Sequence, residues 1–561
     1  MKSFNKTFKL GDTVKEVISY NMYNKTDCIQ RKLIPISEGL EWVKNDGLDE
    51  EQFLNNIEKW KLQQGEYYDC IEYSRFYCEI DCDILEKGYN TFNKWMQELV
   101  DINIDSVLTI ASLAHRFFIN EGCYEDVNEL AGTPQQFIQK CVVGGRVMCC
   151  ENKKIMFDKY SHKKIMDFDA VSLYASAMRR MDGYLKGLPK VIDNFDFNSI
   201  KNYDGYFLQI VIKSVGITRK FPTMSFVNEE GIRTFTNDMI GKTIFIDKIA
   251  LEDAIKQHNI EFEVVRGYYF DEGFNTKIND TIQHIFNERK KLKAQKNPAE
   301  DVYKLIMNSA YGKSILKEIE TEIQFFNNEE DMNIFISRNY NWIQNYEAID
   351  GSTMWILEKV NPINNHFNIP QVGVSILSMS KRIMNEVMGL AEDNNLEMFY
   401  QDTDSIHITG KHIKKLAKLF KNKYGRKLIG DDLGQFHSDF ELTDYKKLDE
   451  EGYEEKISCK GIQARRSIFL GKKCYIDELK GMSESGIIKT DYHIRMKGVP
   501  NSTIKYTAKN LNLSVFELYE KLYKGDKIMF DLTEGGAKAN FKINKNGTIN
   551  TLPFFERIIS F

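Results

Sequence analysis

With 561 residues the chain is too long for one ordinary core, and roughly two to four domains or subdomains are expected. Its 42% hydrophobic and 28% charged content excludes a disordered polymer, and no apolar run approaches the length that spans a bilayer. A formal net charge of −5 excludes a uniformly basic nucleic-acid binder, so contact with phosphate has to come from local basic stripes.

In chain order, Met1–Lys6 lacks the apolar stretch of a secretory signal, so an intracellular location is expected. The ten cysteines are scattered without a C-x-x-C pair and read as free thiols in a reducing compartment. Residues 1–130 read as mostly helical, and Gly144-Gly145 breaks that pattern. Strands are expected over 163–169, 206–213 and 260–270, and a helix over 249–258. A helical pair follows. Ile278, Ile282, Ile285 and Phe286 form the stripe of the first helix. The second is expected to start near Pro298, with Glu300 and Asp301 complementing its dipole. Residues 313–369 show no clear period, 373–392 reads as a helix, and 397–409 as a hairpin. Two basic runs, 411–427 and 456–473, carry eight and six Lys or Arg and no acid. Each taken alone reads as a solvated face.

Three segments carry chemistry. In FYQDTDSIHITG (399–410), Asp402 and Asp404 flank a turn, two acids on one face that repel unless a cation is shared. Hard oxygen ligands suit Mg²⁺. In KIMDFDAVSLYASAM (164–178), Ile165, Asp167 and Asp169 share one strand face, with a turn and a helix following from Ser172. In VYKLIMNSAYGK (302–313), Lys304, Asn308 and Tyr311 fall on one helical face, opposite Val302, Leu305, Ile306 and Ala310. Such a face can hold a triphosphate and stack a base, and Arg289 and Lys293 on the preceding helix add cations one turn apart. Each segment alone is matched by a bland alternative: an acidic turn, a capping Asp, an amphipathic helix.

In this order, D-x-x-S-L-Y, K-x-x-x-N-S-x-Y-G and Y-x-D-T-D-S resemble motifs A, B and C of family B DNA polymerases. The resemblance implies an α+β right-hand fold of palm, fingers and thumb. It implies template-directed DNA synthesis from dNTPs at a primer 3′-hydroxyl, with two Mg²⁺ ions (Mn²⁺ as a substitute) bound by Asp169 and Asp404 and Asp402 supporting the catalytic site. It assigns Arg289, Lys293 and Lys304 to the triphosphate, Asn308 and Tyr311 to the nucleotide site, and Tyr174 to the sugar. Lys473 and Tyr475 in FLGKKCYIDE resemble the K-x-Y element that holds the primer end. Gly144 and Gly145 resemble the Y-x-G-G element of the protein-primed subgroup, DNA-binding in that family, with Val142 where its Tyr stands. The spacing between motifs A and B and the GQFHSDFE segment (434–441) also resemble that subgroup of phages, viruses and linear plasmids, whose insertions serve a terminal protein and processivity. The implied partners are template and primer DNA, dNTPs and a terminal protein, with no membrane, in a viral or plasmid replication compartment. Whether priming uses protein or nucleic acid stays open.

The implied domains are an exonuclease-like region (1–140), palm (141–272 and 371–490), fingers (273–318), an insertion (319–370) and thumb (491–561). Ala175 replaces the Pro of S-L-Y-P. Tyr77 and Asp81 resemble the third exonuclease motif, but the only upstream D-x-E, Asp49-Glu50-Glu51, opens a polar helix. The chain is therefore expected to begin inside an exonuclease domain, as a fragment, split product or trimmed enzyme. Such a chain polymerises without complete proofreading. The competing reading is an inactive remnant that binds DNA or a terminal protein.

Overall fold

The computed structural model describes residues 8, 17–19, 31–157, 163–317, 320–349, 352–361, 368–448, 454–532, 538–543, 549–554 and 556–561. The Met1–Lys6 reading, Cys28 and parts of the expected insertion and thumb lie outside them. The chain divides into two compact units, residues 1–113 with 285–306 and 448–454, and the remainder.

The first unit opens with strand β1 (Leu33–Pro35), helices α1 (Ile36–Asn45) and α2 (Glu50–Lys59), strands β2 (Gln63–Gln64) and β3 (Tyr67–Asp69), and helix α3 (Cys70–Val100). The strands pair antiparallel in the order β1-β3-β2. Ile34, Val43, Phe53, Ile57, Tyr68 and Tyr73 form its core. Asp49 caps α2 by accepting the Gln52 N–H at 3.0 Å, so the D-x-E at 49–51 works here as a helix start. Tyr77 and Asp81 sit one turn apart within α3, Tyr77 buried.

The second unit is built on a nine-stranded sheet. Its strands include β4 (Val147–Cys149) and β5 (Ile165–Ala170), the latter leading into helix α4 (Leu173–Arg180). A separate antiparallel sheet holds β6 (Gly205–Val215), β7 (Thr243–Asp247) and β8 (Ile260–Phe270), with helix α5 (Lys248–His258) packed against it. Helices α6 (Lys277–Ala294) and α7 (Glu300–Ser314) follow. Ile278, Ile282, Ile285 and Phe286 are all buried, as their spacing requires. Pro298 stands two residues before α7 rather than in its first turn. The Asn297 side chain accepts the Ala299 N–H there, so the turn rather than the helix takes the Pro.

The segment without a sequence period folds as strand β9 (Thr321–Phe326), helix α8 (Glu329–Asn339) and strands β10 (Ile343–Ala348) and β11 (Trp355–Val360), ordered β9-β11-β10. Its entry and exit meet: the Ile369 N–H donates to Ser314 O at 3.0 Å, and the Asn368 side-chain amide donates to Leu316 O at 3.0 Å. Helix α9 (Pro370–Asp393) then runs through the interior with almost every residue buried and Pro370 in its first turn.

The hairpin β12 (Met398–Asp402) and β13 (Ser405–Thr409), helix α10 (Ile413–Tyr424) and strands β14 (Phe436–Ser438), β15 (Lys460–Gly471), β16 (Cys474–Met482) and β17 (Ile488–Met496) complete the nine-stranded sheet. Its order is β17-β16-β15-β5-β13-β12-β4, with β14 against β5 and Ile155–Phe157 against β15. The sheet continues to Met496, across the expected palm–thumb boundary at 490. Helices α11 (Asn501–Asn510) and α12 (Val515–Lys524) pack there through Ile504, Phe516, Tyr519 and Leu522. The lysines at 411, 414, 415, 418, 421 and 423 line the solvated face of α10 and the turn before it, the bland reading of that run. Among the described residues no helix is long and apolar enough to cross a membrane.

Candidate active site

The site grows from strand register. Strand β13 pairs antiparallel with β5, setting Ser405 opposite Asp169 and His407 opposite Asp167, and the Ala170 N–H donates to Asp404 O at 2.9 Å. Carboxylates 235 positions apart in sequence, Asp169 and Asp404, thereby become neighbours.

The turn that carries Asp404 is strained. Thr403 has φ +56°, rare for a β-branched residue, and the Asp404 N–H donates back to Asp402 O at 2.6 Å. Such a backbone costs on the order of 1–3 kcal/mol and persists only where its surroundings hold it. The Thr403 N–H donates to Arg146 O at 2.9 Å, and Gly145 lies against the Thr403 side chain. A Cβ on Gly145 would come within 2.6 Å of Thr403 Cγ2, whereas one on Gly144 meets nothing within 4 Å. The Arg146 guanidinium, fully buried, donates to Gln401, Phe221 O and Pro222 O and anchors this edge. Lys381 on α9 donates to Val143 O, just before the glycines. Burial pushes its ammonium down to about 8, while Asp247 acts to raise it.

Electrostatics mark the turn. Burial, then Asp404, Asp439 and Asp167, push the Asp169 carboxyl up to about 8. Asp404 is raised by burial and then by Asp402 and Asp167, with Lys473 opposing. Strand β14 pairs His437 with Asp169, so Asp169, His437 and Asp439 bring one donor atom each within 4.8 Å of one another. His437 and Asp439 were given no role in the sequence reading, although the H-S-D of GQFHSDFE was the available signal. Closely set carboxylates whose charged forms are disfavoured by burial and by one another fit a hard divalent cation, which would stabilise those charges.

Around the carboxylates, Tyr174 on α4 stacks on Tyr311 of α7, ring centroids 3.8 Å apart and both half-buried. Lys473 lies at the β15–β16 turn with φ +55°. Its N–H donates to the Tyr400 hydroxyl at 2.8 Å, and its ammonium pairs with Asp402 at 2.9 Å. Tyr475, by contrast, is 4% exposed, its ring packed among Tyr400, His407, Phe469 and His493. In the first unit, Arg289 pairs with Glu300 at 2.6 Å, both largely buried, whereas Lys293 is exposed and Lys304 lies 3.8 Å from Asp301. Lys304 and Asn308 share the exposed side of α7, while Val302, Ile306 and Ala310 are buried and Leu305 is 37% exposed.

Beneath the turn lies a charged strip the sequence reading did not assemble. His407 Nε2 lies 3.2 Å from Asp477 Oδ2, His493 Nδ1 lies 3.4 Å from the same oxygen, and Ser467 donates to Asp477 Oδ1 at 2.6 Å. Although burial alone would raise it, Asp477 is held far below the usual carboxylate range by His407 and His493. His407 is lowered by burial but raised overall by Asp167 and Asp477.

Residues 2–394 match the family model described as DNA polymerase type B, organellar and viral, a match that ends before the Asp402–Asp404 turn. A DNA polymerase of Kluyveromyces lactis is 24% identical over 480 residues, covering 81% of this chain and 41% of that protein. A probable DNA polymerase of Neurospora intermedia is 25% identical over 344 residues, covering 59% of this chain and 33% of that protein. The chain thus spans less than half the length of either relative. Among solved structures, Phi29 DNA polymerase with single-stranded DNA aligns over 86% of this chain and 72% of its own, at 16% identity and TM-score 0.54. The same polymerase with primer-template DNA and incoming nucleotides aligns over 85% and 72%, at 16% identity and TM-score 0.53. That likeness is one of fold, α+β and of the right-hand polymerase type. With the family match covering well over half its length, the chain belongs to the organellar and viral type B DNA polymerases.

Proposed function

We propose that this chain extends a DNA primer on a template by nucleotidyl transfer from dNTPs. One observation carries the reading: the β5–β13 register brings Asp169 and Asp404 together at a strained, electrostatically unfavourable turn. Unfavourable charge of this kind is retained where chemistry uses it.

Asp169 and Asp404 are the groups that would hold Mg²⁺, with Asp402, restrained by Lys473, beside them. Bound divalent cations supply acidification of the primer hydroxyl and neutralisation of the leaving pyrophosphate. The chain's own part is placement. Tyr174, stacked on Tyr311, walls the position assigned to the nucleotide sugar and base. Asn308, Lys304, Lys293 and Arg289 are assigned to the nucleotide by family resemblance. Lys473 neutralises Asp402 and stands where the primer end is expected, while Tyr475 supports it from inside. Gly144, with open space where a side chain would stand, would give a DNA strand close access, while Gly145 makes room for Thr403.

In this reading the palm comprises 141–272 and 371–490, the fingers 273–318, an insertion 319–370 and the thumb 491–561. The N-terminal region is exonuclease-like without the earlier carboxylate motifs. Protein priming and a terminal-protein partner are the subgroup's form of this activity.

Extension of a labelled primer on a template by the purified chain, dependent on Mg²⁺ and dNTPs, tests the reading. No incorporation under any divalent ion would overturn it. Replacing Tyr174 with Val is expected to raise ribonucleotide incorporation by about tenfold or more, since a side chain that excludes a hydroxyl by contact stops doing so when shortened. Unchanged sugar selectivity would remove Tyr174 from that wall.

A further inference from the structure

His407, Asp167 and Asp477, the strip below the turn, lie within the quoted segments but hold none of the roles the resemblance assigns. His407 sits on β13 three residues after Asp404, and its register partner on β5 is Asp167, two residues before Asp169. The imidazole and Asp477 are both 0% exposed, and Asp167 is buried. Tyr400, Phe440, Phe469 and Tyr475 box the ring edge-on at centroid distances of 5.7, 5.7, 5.1 and 5.2 Å. His407 Nδ1 and Asp167 Oδ1 face each other at 3.7 Å, and neither has a hydrogen-bond partner. On the opposite side Nε2 faces Asp477, itself fixed by the Ser467 hydroxyl.

We infer that His407 is a positioning residue for the Asp169–Asp404 pair: gripped between Asp477 and Asp167, it fixes the β5–β13 register one step below the turn. The inference rests on the polymerase reading and deepens it. Its physical basis is the cost of burying an unpaired carboxylate, several kcal/mol for a group out of water. Only one register sets Asp167 against an imidazole. A slip by one residue would place it against an apolar side chain and turn Asp169 to the other face of the strand. The aromatic box stops the ring from turning away. Asp477 and Ser467, on neighbouring strands, set its direction, as outer groups orient metal ligands elsewhere.

The test uses the full chain with His407→Gln and Asp477→Asn. Affinity for Mn²⁺ or Mg²⁺ by calorimetry and the Mg²⁺ concentration giving half-maximal extension are both expected to worsen by about tenfold. Primer-template affinity should stay within about twofold of the parent. A purely structural role predicts a smaller active fraction with unchanged cation affinity and half-saturation, and that result overturns the inference. If circular dichroism shows either variant unfolded, Ser467→Ala, which removes one hydroxyl from Asp477, should weaken cation affinity two- to threefold. Unchanged affinity there also overturns it. Asp167, His407 and His493 bring donor atoms within 4.8 Å of one another. One equivalent of zinc retained by the parent and lost in His407→Gln would therefore replace the clamp with a structural metal. A parent chain that extends no primer yet shows the tenfold loss of cation affinity would sink the polymerase reading and leave the clamp standing.

Discussion

At the turn end of the central sheet, Asp404 and Asp439 both act on Asp169, and all three carboxyls are raised above their ordinary range. In the same sheet, on β16, Asp477 is more deeply buried yet held low, because two imidazoles and a hydroxyl face it. Burial acts in the same direction at both places, so partners decide the outcome. At Asp477 the lower strip has its charge matched by facing imidazoles and a hydroxyl, and reads as support for the pair above it. The upper cluster carries unbalanced negative charge, which a bound cation would relieve, and it is the part proposed to do chemistry.

The sharpest way to break this contrast is to remove charge at each end. Asp404→Asn should lower primer extension by at least about a thousandfold while leaving primer-template binding intact. In the metal-free protein its melting temperature should stay level or rise, since repulsion is relieved. Asp477→Asn should do the reverse to stability: it leaves His407 facing a lost charge and costs about 3 kcal/mol, read as a fall in urea midpoint. Equal stability changes of one sign would erase the distinction.

Cation linkage sharpens the comparison further. At a hundred times its dissociation constant, Mg²⁺ should stabilise the parent by about 2.7 kcal/mol, and this gain should vanish in Asp404→Asn. An undiminished gain would place the cation elsewhere.

Titration separates the ends by sign. Burial and then the neighbouring carboxylates push the Asp169 carboxyl up to about 8. Its contribution is fully present below about pH 4 and is lost as pH rises through about 8. The metal-free parent should therefore weaken across that window, and Asp169→Asn should flatten the slope. Asp477, depressed, contributes above about pH 4 and loses that contribution only in strong acid. Denaturation profiles with and without chelator distinguish the two.

The smallest contrast lies within the glycine pair. Gly145→Ala should cost about 1–3 kcal/mol and slow extension, because its Cβ would meet Thr403. Gly144→Ala, with open space around it, should stay within about 0.5 kcal/mol. Equal effects would detach Gly145 from the turn.

Much of this was legible in the chain. The strand Ile260–Phe270 and the helices around 249–258 and 373–392 form where the sequence places them, carried by apolar residues such as Ile260, Val264 and Phe270, Leu251 and Ala254, and Val374, Leu377 and Val387 that are buried. Asp169, Asp402 and Asp404 were legible as strand-end and turn acids. The His407–Asp477 strip was not, because its members stand 70 positions apart and meet only once the register is set. Strands β9, β10 and β11 were also hidden. Their exposed polar and aromatic residues alternate poorly, and a register shift breaks the β10 pattern. Pro298 misled by two residues because a turn just ahead of a helix accommodates proline as readily as the first helical turn.

The meeting of Ser314 with Ile369 and of Leu316 with Asn368 bears on how such a chain can change over generations. Departure and return are neighbours, so the excursion between them is a cassette: a short bridge could replace it without displacing α7 or α9. Variation in length, composition or partner can therefore accumulate at that position while the register beneath Asp169 and Asp404 is inherited unchanged.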